Sequence, residues 1–118
     1  MRDFKRYQVW QKSHRLTLHI FEVTKCFPSD EKFRIISQMQ RAAYSIPSNF
    51  AEGCGRRSDK DFDRFIQISL GSAHELEYFV ILSTDLNFLD TAISSTLIEE
   101  INMVKKQLFS LSQKLKSL

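Results

Sequence analysis

Residues 41–58 read RAAYSIPSNFAEGCGRRS, and the reading of this stretch decides the fold of the whole chain. Around and before it, Phe33, Ile36, Met39 or Gln40, Ala43, Ile46 and Phe50 recur at the spacing of one helix face. Pro47 falls inside that pattern. It has no N–H to donate to the Ala43 carbonyl, and its ring crowds that carbonyl, which costs an isolated helix about 3 kcal/mol. The pattern nevertheless runs on to Glu52, so the stretch reads as one helix kinked at Pro47 and not as two helices. Ser45 and Ser48 flank the proline and offer hydroxyls for the freed carbonyl. Gly53 or Gly55 is expected to end the helix as a left-handed cap.

Working outward, the segment FPSDEK (27–32) separates this helix from an earlier one. Phe27, preceding Pro28, is biased away from helical geometry. Ser29 or Asp30 is suited to cap the second helix, which is expected to start near Asp30. The first helix is predicted from about Tyr7 to Cys26, with Trp10, Thr17, Ile20, Phe21 and Thr24 on its inner face. A third helix is predicted to open at Ser58, an N-cap followed by Asp59 and Asp61. Its first apolar seam is Phe62, Ile66, Ser69, Ala73, Leu76, Val80 and Ser83. A second stripe runs Phe65, Ile68, Ser72, Phe79, Leu82 and Leu86. A helix apolar over that much of its circumference is buried on more than one side, and a small bundle covers only one, so another chain or a ligand is expected on the other. Gly71 lies mid-helix at a cost of about 1 kcal/mol relative to Ala, which predicts close approach by a neighbouring helix. A fourth helix is predicted after NFLDTAIS (87–94), with the seam Leu97, Ile101, Val104, Leu108, Leu111 and Leu115. Its four-and-three alternation predicts nearly parallel, left-handed packing. The fold class is therefore all-α: an antiparallel up-down-up-down four-helix bundle, one domain over residues 1–118.

Composition agrees. Three glycines and two prolines in 118 residues leave little room for hairpins, and 42% hydrophobic residues suffice for a core. The net charge of +3 permits a nucleic-acid partner without demanding one. Charge is unevenly spread: residues 58–87 hold two Lys/Arg against six acids, while residues 1–26 hold six against two. Such segments suit complementary helix packing. No apolar h-region opens the chain and no apolar run is long enough to cross a membrane, so a cytoplasmic protein with no membrane partner is expected.

Chemistry-bearing motifs are missing. Cys26 and Cys54 form no CxxC, and His14, His19 and His74 have no metal-ligand spacing, so neither metal nor cofactor is expected. EGCGRRS lacks the GK[ST] ending of a phosphate loop and follows a helix where that motif needs a strand. Cys54 between glycines has no evident partner base and is read as a small residue at a tight turn. The expectation is a non-catalytic protein. Ten Phe, three Tyr and one Trp are expected to pack in the core, because most fall on the predicted stripes.

Four segments occur in a telling order: VWQKSHRL (9–16), FP (27–28), SQMQRAAYSIPSNFAEGCGR (37–56) and FIQISLGSAHELEY (65–78). Together they resemble the four-helix bundle family of 23S rRNA-intervening sequence proteins, also filed under an S23 ribosomal protein label. The signature RAAxSIPxNxAEG followed by GSxxEL places Pro47, Asn49, Glu52, Gly53, Gly71, Ser72 and Glu75 at its fixed positions. Phe50, where an aliphatic residue is common, and Cys54 depart from it. The resemblance implies a bundle that assembles into a homopentamer, relates the chain to the accessory subunit of diversity-generating retroelements, which binds reverse transcriptase and nucleic acid, and implies no catalysis.

Arg41 and Glu52 are eleven residues apart, about 16 Å by helical rise, too far to pair with each other. One reading joins Arg41, Asn49 and Glu52 in a structural polar network. The other makes Arg41, Arg56, Arg57 and Lys60 an anion-binding surface. Two functions are weighed: an RNA- or DNA-binding homo-oligomer, and a scaffold for a protein such as a reverse transcriptase.

Overall fold

In the computed structural model, which describes residues 2–117, four helices follow one another: α1 Gln8–Thr24, α2 Ser37–Cys54, α3 Asp59–Asp85 and α4 Thr91–Lys116. Interhelical bonds fix their direction. Along α3, Phe65 meets Gly53, the Ser69 hydroxyl donates to the Ile46 carbonyl at 2.9 Å, and the Ser83 hydroxyl lies 3.8 Å from the Met39 sulfur. Numbers rise on α3 as they fall on α2, so the two run antiparallel. Gln67 with Ser112, Glu77 with Lys105 and Thr84 with Ser94 give the same result for α3 and α4. Among neighbouring helices, packing is most extensive between α2 and α3 and least between α1 and α4, where α4 closes back on α1. The chain is the expected all-α four-helix bundle.

The core follows the predicted seams closely. Ile20, Met39, Ala43, Ile46, Phe62, Ile66, Ala73, Leu76, Val80, Leu97, Ile101, Val104 and Leu108 are buried. Trp10 is only partly buried, stacked on His14 and edge-on to Phe4, and Phe21 is exposed, so the inner face of α1 is narrower than predicted. Helix α4 starts within NFLDTAIS, because Asp90 caps it by accepting from the Ile93 amide at 2.8 Å.

Helix α2 continues through Pro47 without a break. The carbonyl that Pro47 cannot serve is Ala43's, and a neighbouring helix serves it instead. The Thr17 hydroxyl of α1 lies 3.1 Å from the Ala43 oxygen and 2.8 Å from the Ser13 oxygen of its own helix. One hydroxyl has one proton, so these two carbonyls share it. Neither Ser45 nor Ser48 plays this part. Buried Pro47 is thus tied to α1 packing, since a buried orphan carbonyl would cost about 1–3 kcal/mol.

Three local expectations are corrected. The second helix does not start as an α-helix near Asp30. A 3-10 turn, Ser29–Glu31, leads into a π-helical turn, Lys32–Ile36, and neither Ser29 nor Asp30 caps it. Wider i→i+5 winding takes Phe33 out of register with the α2 stripe, while Ile36 still packs on the core. Phe33, predicted inside, is 85% exposed. Second, neither Gly53 nor Gly55 is left-handed; Gly55 has φ −81°. The left-handed cap belongs to α3, at Asn87 with φ 64°. There the Asn87 amide bonds the Thr84 carbonyl at 3.0 Å and the Phe88 amide the Ser83 carbonyl at 2.8 Å, a Schellman arrangement. Third, Gly71 is not approached by another helix: among the described residues nothing lies within 4 Å of where its Cβ would be.

Candidate functional site

Two regions gather the signature residues. The first is the corner between α2 and α3. Gly55 and Arg56 close the end of α2 through amide bonds to the Glu52 and Gly53 carbonyls at 3.1 and 3.0 Å. Ser58 then caps α3, its hydroxyl accepting from the Asp61 amide at 3.0 Å. Gly53 is buried, and an added Cβ there would stand 2.6 Å from the Phe65 Cβ. The glycine lets α2 and α3 approach closely where they meet the corner.

The corner's acids largely answer its arginines. Arg56 lies 3.4 Å from the Glu52 carboxylate and 3.7 Å from that of Asp61, with its guanidinium 4.7 Å over the Phe65 ring. Arg64 bonds Asp61 at 3.0 Å and covers the same ring. Arg2 reaches in from the N-terminal segment. It donates to the Arg56 carbonyl at 2.8 Å, pairs with Asp59 and stacks 4.4 Å over Phe62. Sequence reading missed Arg2, because no local pattern announces a contact 54 residues distant. Arg57 and Lys60 are exposed and carry no ion pair among the described residues.

Cys54 lies beneath this corner, 2% exposed. Burial raises its thiol to about 11, against the opposing pull of Arg2. Thiolate is the reactive form, so Cys54 is an inert packing residue at neutral pH. Tyr7 beside it is also raised, chiefly by burial. Among the described residues no group of three or more His, Cys, Asp or Glu is placed to hold a metal ion. No helix of the described chain is long and apolar enough to cross a membrane.

The other predicted residues do not join the corner. Arg41 is exposed, fifteen residues before Arg56 and about 22 Å away by helical rise. Asn49 donates to the Ser45 carbonyl of its own helix at 2.8 Å, and Glu52 turns to Arg56. The Arg41–Asn49–Glu52 network therefore does not form within one chain.

The second region is the outward face of α3. Ile68, Gly71, Glu75, Tyr78 and Leu82 follow one another at intervals of three and four, a single stripe. Ile68, Gly71, Glu75 and Tyr78 are exposed, Tyr78 by 58%, and Ile81 and Leu86 add exposed apolar surface beside them. Ser72 is half-buried at its edge. Of the second stripe predicted from sequence, only Phe65 is fully covered by the chain's own helices; Phe79 and Leu82 are half-covered.

A family model of the 23S rRNA-intervening sequence protein matches residues 5–110, almost the whole bundle. The chain belongs to this family. A crystal structure from Bacteroides thetaiotaomicron, described as a protein of unknown function from the S23 ribosomal protein family, is similar over 88% of this chain and 97% of that one. The identity is 25% and the TM-score 0.82. No match was found among curated proteins. In this 23S rRNA-intervening sequence protein, the corner and the outward α3 face carry the exposed signature residues Glu52, Gly71 and Glu75.

Proposed function

We propose that this protein is a non-catalytic, self-assembling four-helix bundle whose assembled surface binds RNA. Gly71 carries the reading. A glycine inside a helix costs about 1 kcal/mol, and here no neighbour among the described residues explains it. It lies near the middle of α3, in an exposed stripe with Ile68, Glu75 and Tyr78, where the absence of a side chain admits another helix at close range. The partner is a second copy of the same chain, five copies being what the resemblance implies. Light scattering should then return several times the chain mass of 13.9 kDa.

The RNA part rests on Arg57 and Lys60, the corner cations that no acid answers. Repetition around an assembly multiplies a +3 subunit into a strongly basic surface. Filter binding of a structured RNA at two salt concentrations tests it. Replacing Arg57 and Lys60 by Ala should weaken binding and lower the salt slope by about two, one per lost phosphate contact. Unchanged affinity and slope in an intact oligomer would remove the corner from the RNA surface. The neutralised state of Arg2 and Arg56 favours a second reading, in which the assembly is a scaffold for a protein such as a reverse transcriptase. That reading gains if the oligomer forms but RNA does not bind.

A further inference from the structure

We propose that Phe33 is a base-stacking platform for single-stranded nucleic acid, at the end of the bundle opposite the Arg57 corner. Phe33 is the most exposed of the large apolar side chains, and α2, about 27 Å long, separates it from that corner. The ring is held out by architecture. Phe33 lies in the π-helical turn Lys32–Ile36, a rare kind of winding that is frequent at functional sites. The turn itself is anchored: Ile35 and Ile36 pack on the core, and the Glu31 side chain is buried just before it. A mobile loop could swing an aromatic ring inward; this anchored turn keeps the ring facing water.

The surroundings select the ligand. Lys32 places its ammonium 5.6 Å from the ring centroid. Arg34 touches the Glu31 carboxylate at 3.4 Å, yet its side chain is 72% exposed and keeps donors free. Asp30 opposes them, and Lys25 is engaged by Glu22 at 3.0 Å. With Lys32 over one face of the exposed ring and the exposed Arg34 next to it in the chain, the other face matches a stacked base whose phosphates meet the two cations. The immediate chain neighbours Ser29, Asp30, Lys32 and Arg34 are all exposed and polar.

The inference shares with the function above the premise that the chain binds nucleic acid, but it uses a different site. The test is fluorescence-anisotropy titration of the full chain with a labelled uridine dodecamer and its deoxythymidine counterpart. Wild type is compared with Phe33→Leu, Phe33→Trp and the Arg57→Ala, Lys60→Ala double variant. Leu keeps apolar bulk and removes the ring; Trp keeps a ring. Phe33→Leu should weaken binding about tenfold, the size of one lost base stack. Phe33→Trp should stay within about twofold of wild type, with tryptophan emission quenched on binding beyond the Trp10 background. Binding by Phe33→Leu equal to wild type overturns the proposal, and loss confined to the Arg57, Lys60 variant leaves the corner reading standing alone. No binding by wild type to the dodecamers or to structured RNA overturns both.

Discussion

Gly53 of α2 and Gly71 of α3 are both helical glycines, one packed against α3 from within the bundle and the other on its outward face. At Gly53 the reason lies inside the chain: α2 and α3 approach so closely that a methyl group would strike the Phe65 Cβ. At Gly71 the surrounding space is empty. The pair teaches how to separate a glycine that a fold needs from one that the isolated fold leaves unexplained. The inward face of α3 is complete, with Ser69 and Ser83 satisfied by α2 and the seam residues buried. Its outward face repeats a helical stripe with nothing on it.

Exchanging each glycine for alanine sharpens the contrast. Gly53→Ala should destabilise by about 2 kcal/mol, within the range for overpacking, because the obstructing atom is a Cβ fixed to the backbone. Urea unfolding measures this, and a loss under about 0.5 kcal/mol would break the close-packing account. An intermediate effect is expected on the α1 side of α2. Thr17→Val should cost about 1–2 kcal/mol by stranding the buried Ala43 carbonyl. In a Pro47→Ala background the restored amide at position 47 serves that carbonyl, so the cost should shrink. Strict additivity in the double-mutant cycle would contradict the Thr17–Pro47 link. Smallest is Gly71→Ala. Below the concentration of assembly it should stabilise by about 0.5–1 kcal/mol, since nothing opposes the methyl group and helix propensity favours it. A loss of stability there would mean the outward face is not open.

The seams of α3 and α4 were legible because periodicity reports which residues share a face, and burial in a four-helix bundle follows from that. The helix through Pro47 was legible because its apolar pattern runs unbroken across a residue that should stop it, whereas the family was legible through the resemblance of RAAxSIPxNxAEG and GSxxEL to a known signature. What periodicity cannot carry is winding. The π-helical turn at Lys32–Ile36 shifts register without changing the apolar spacing, so Phe33 read as core and lies in water. Contacts distant in sequence were equally silent. Thr17 serving Ala43 and Arg2 covering the corner depend on how helices dock, not on local composition. The left-handed cap illustrates a different limit. Glycine marks where positive φ is free of strain, but here it is Asn87 that adopts it. The arginine pair was visible in the sequence; that Arg56 is engaged by Glu52 and Asp61 while Arg57 is not emerges only from the geometry.

The claim that the outward face of α3 is an assembly surface is tested most directly by sedimentation equilibrium of wild type beside Gly71→Gln. Glutamine suits an exposed helix position, so the bundle should keep its helicity while the face loses its gap. The account predicts a wild-type mass several times 13.9 kDa and, for Gly71→Gln, a shift to the monomer at the same tens-of-micromolar concentration. A monomeric wild type, or an oligomer whose mass Gly71→Gln leaves unchanged, would contradict it.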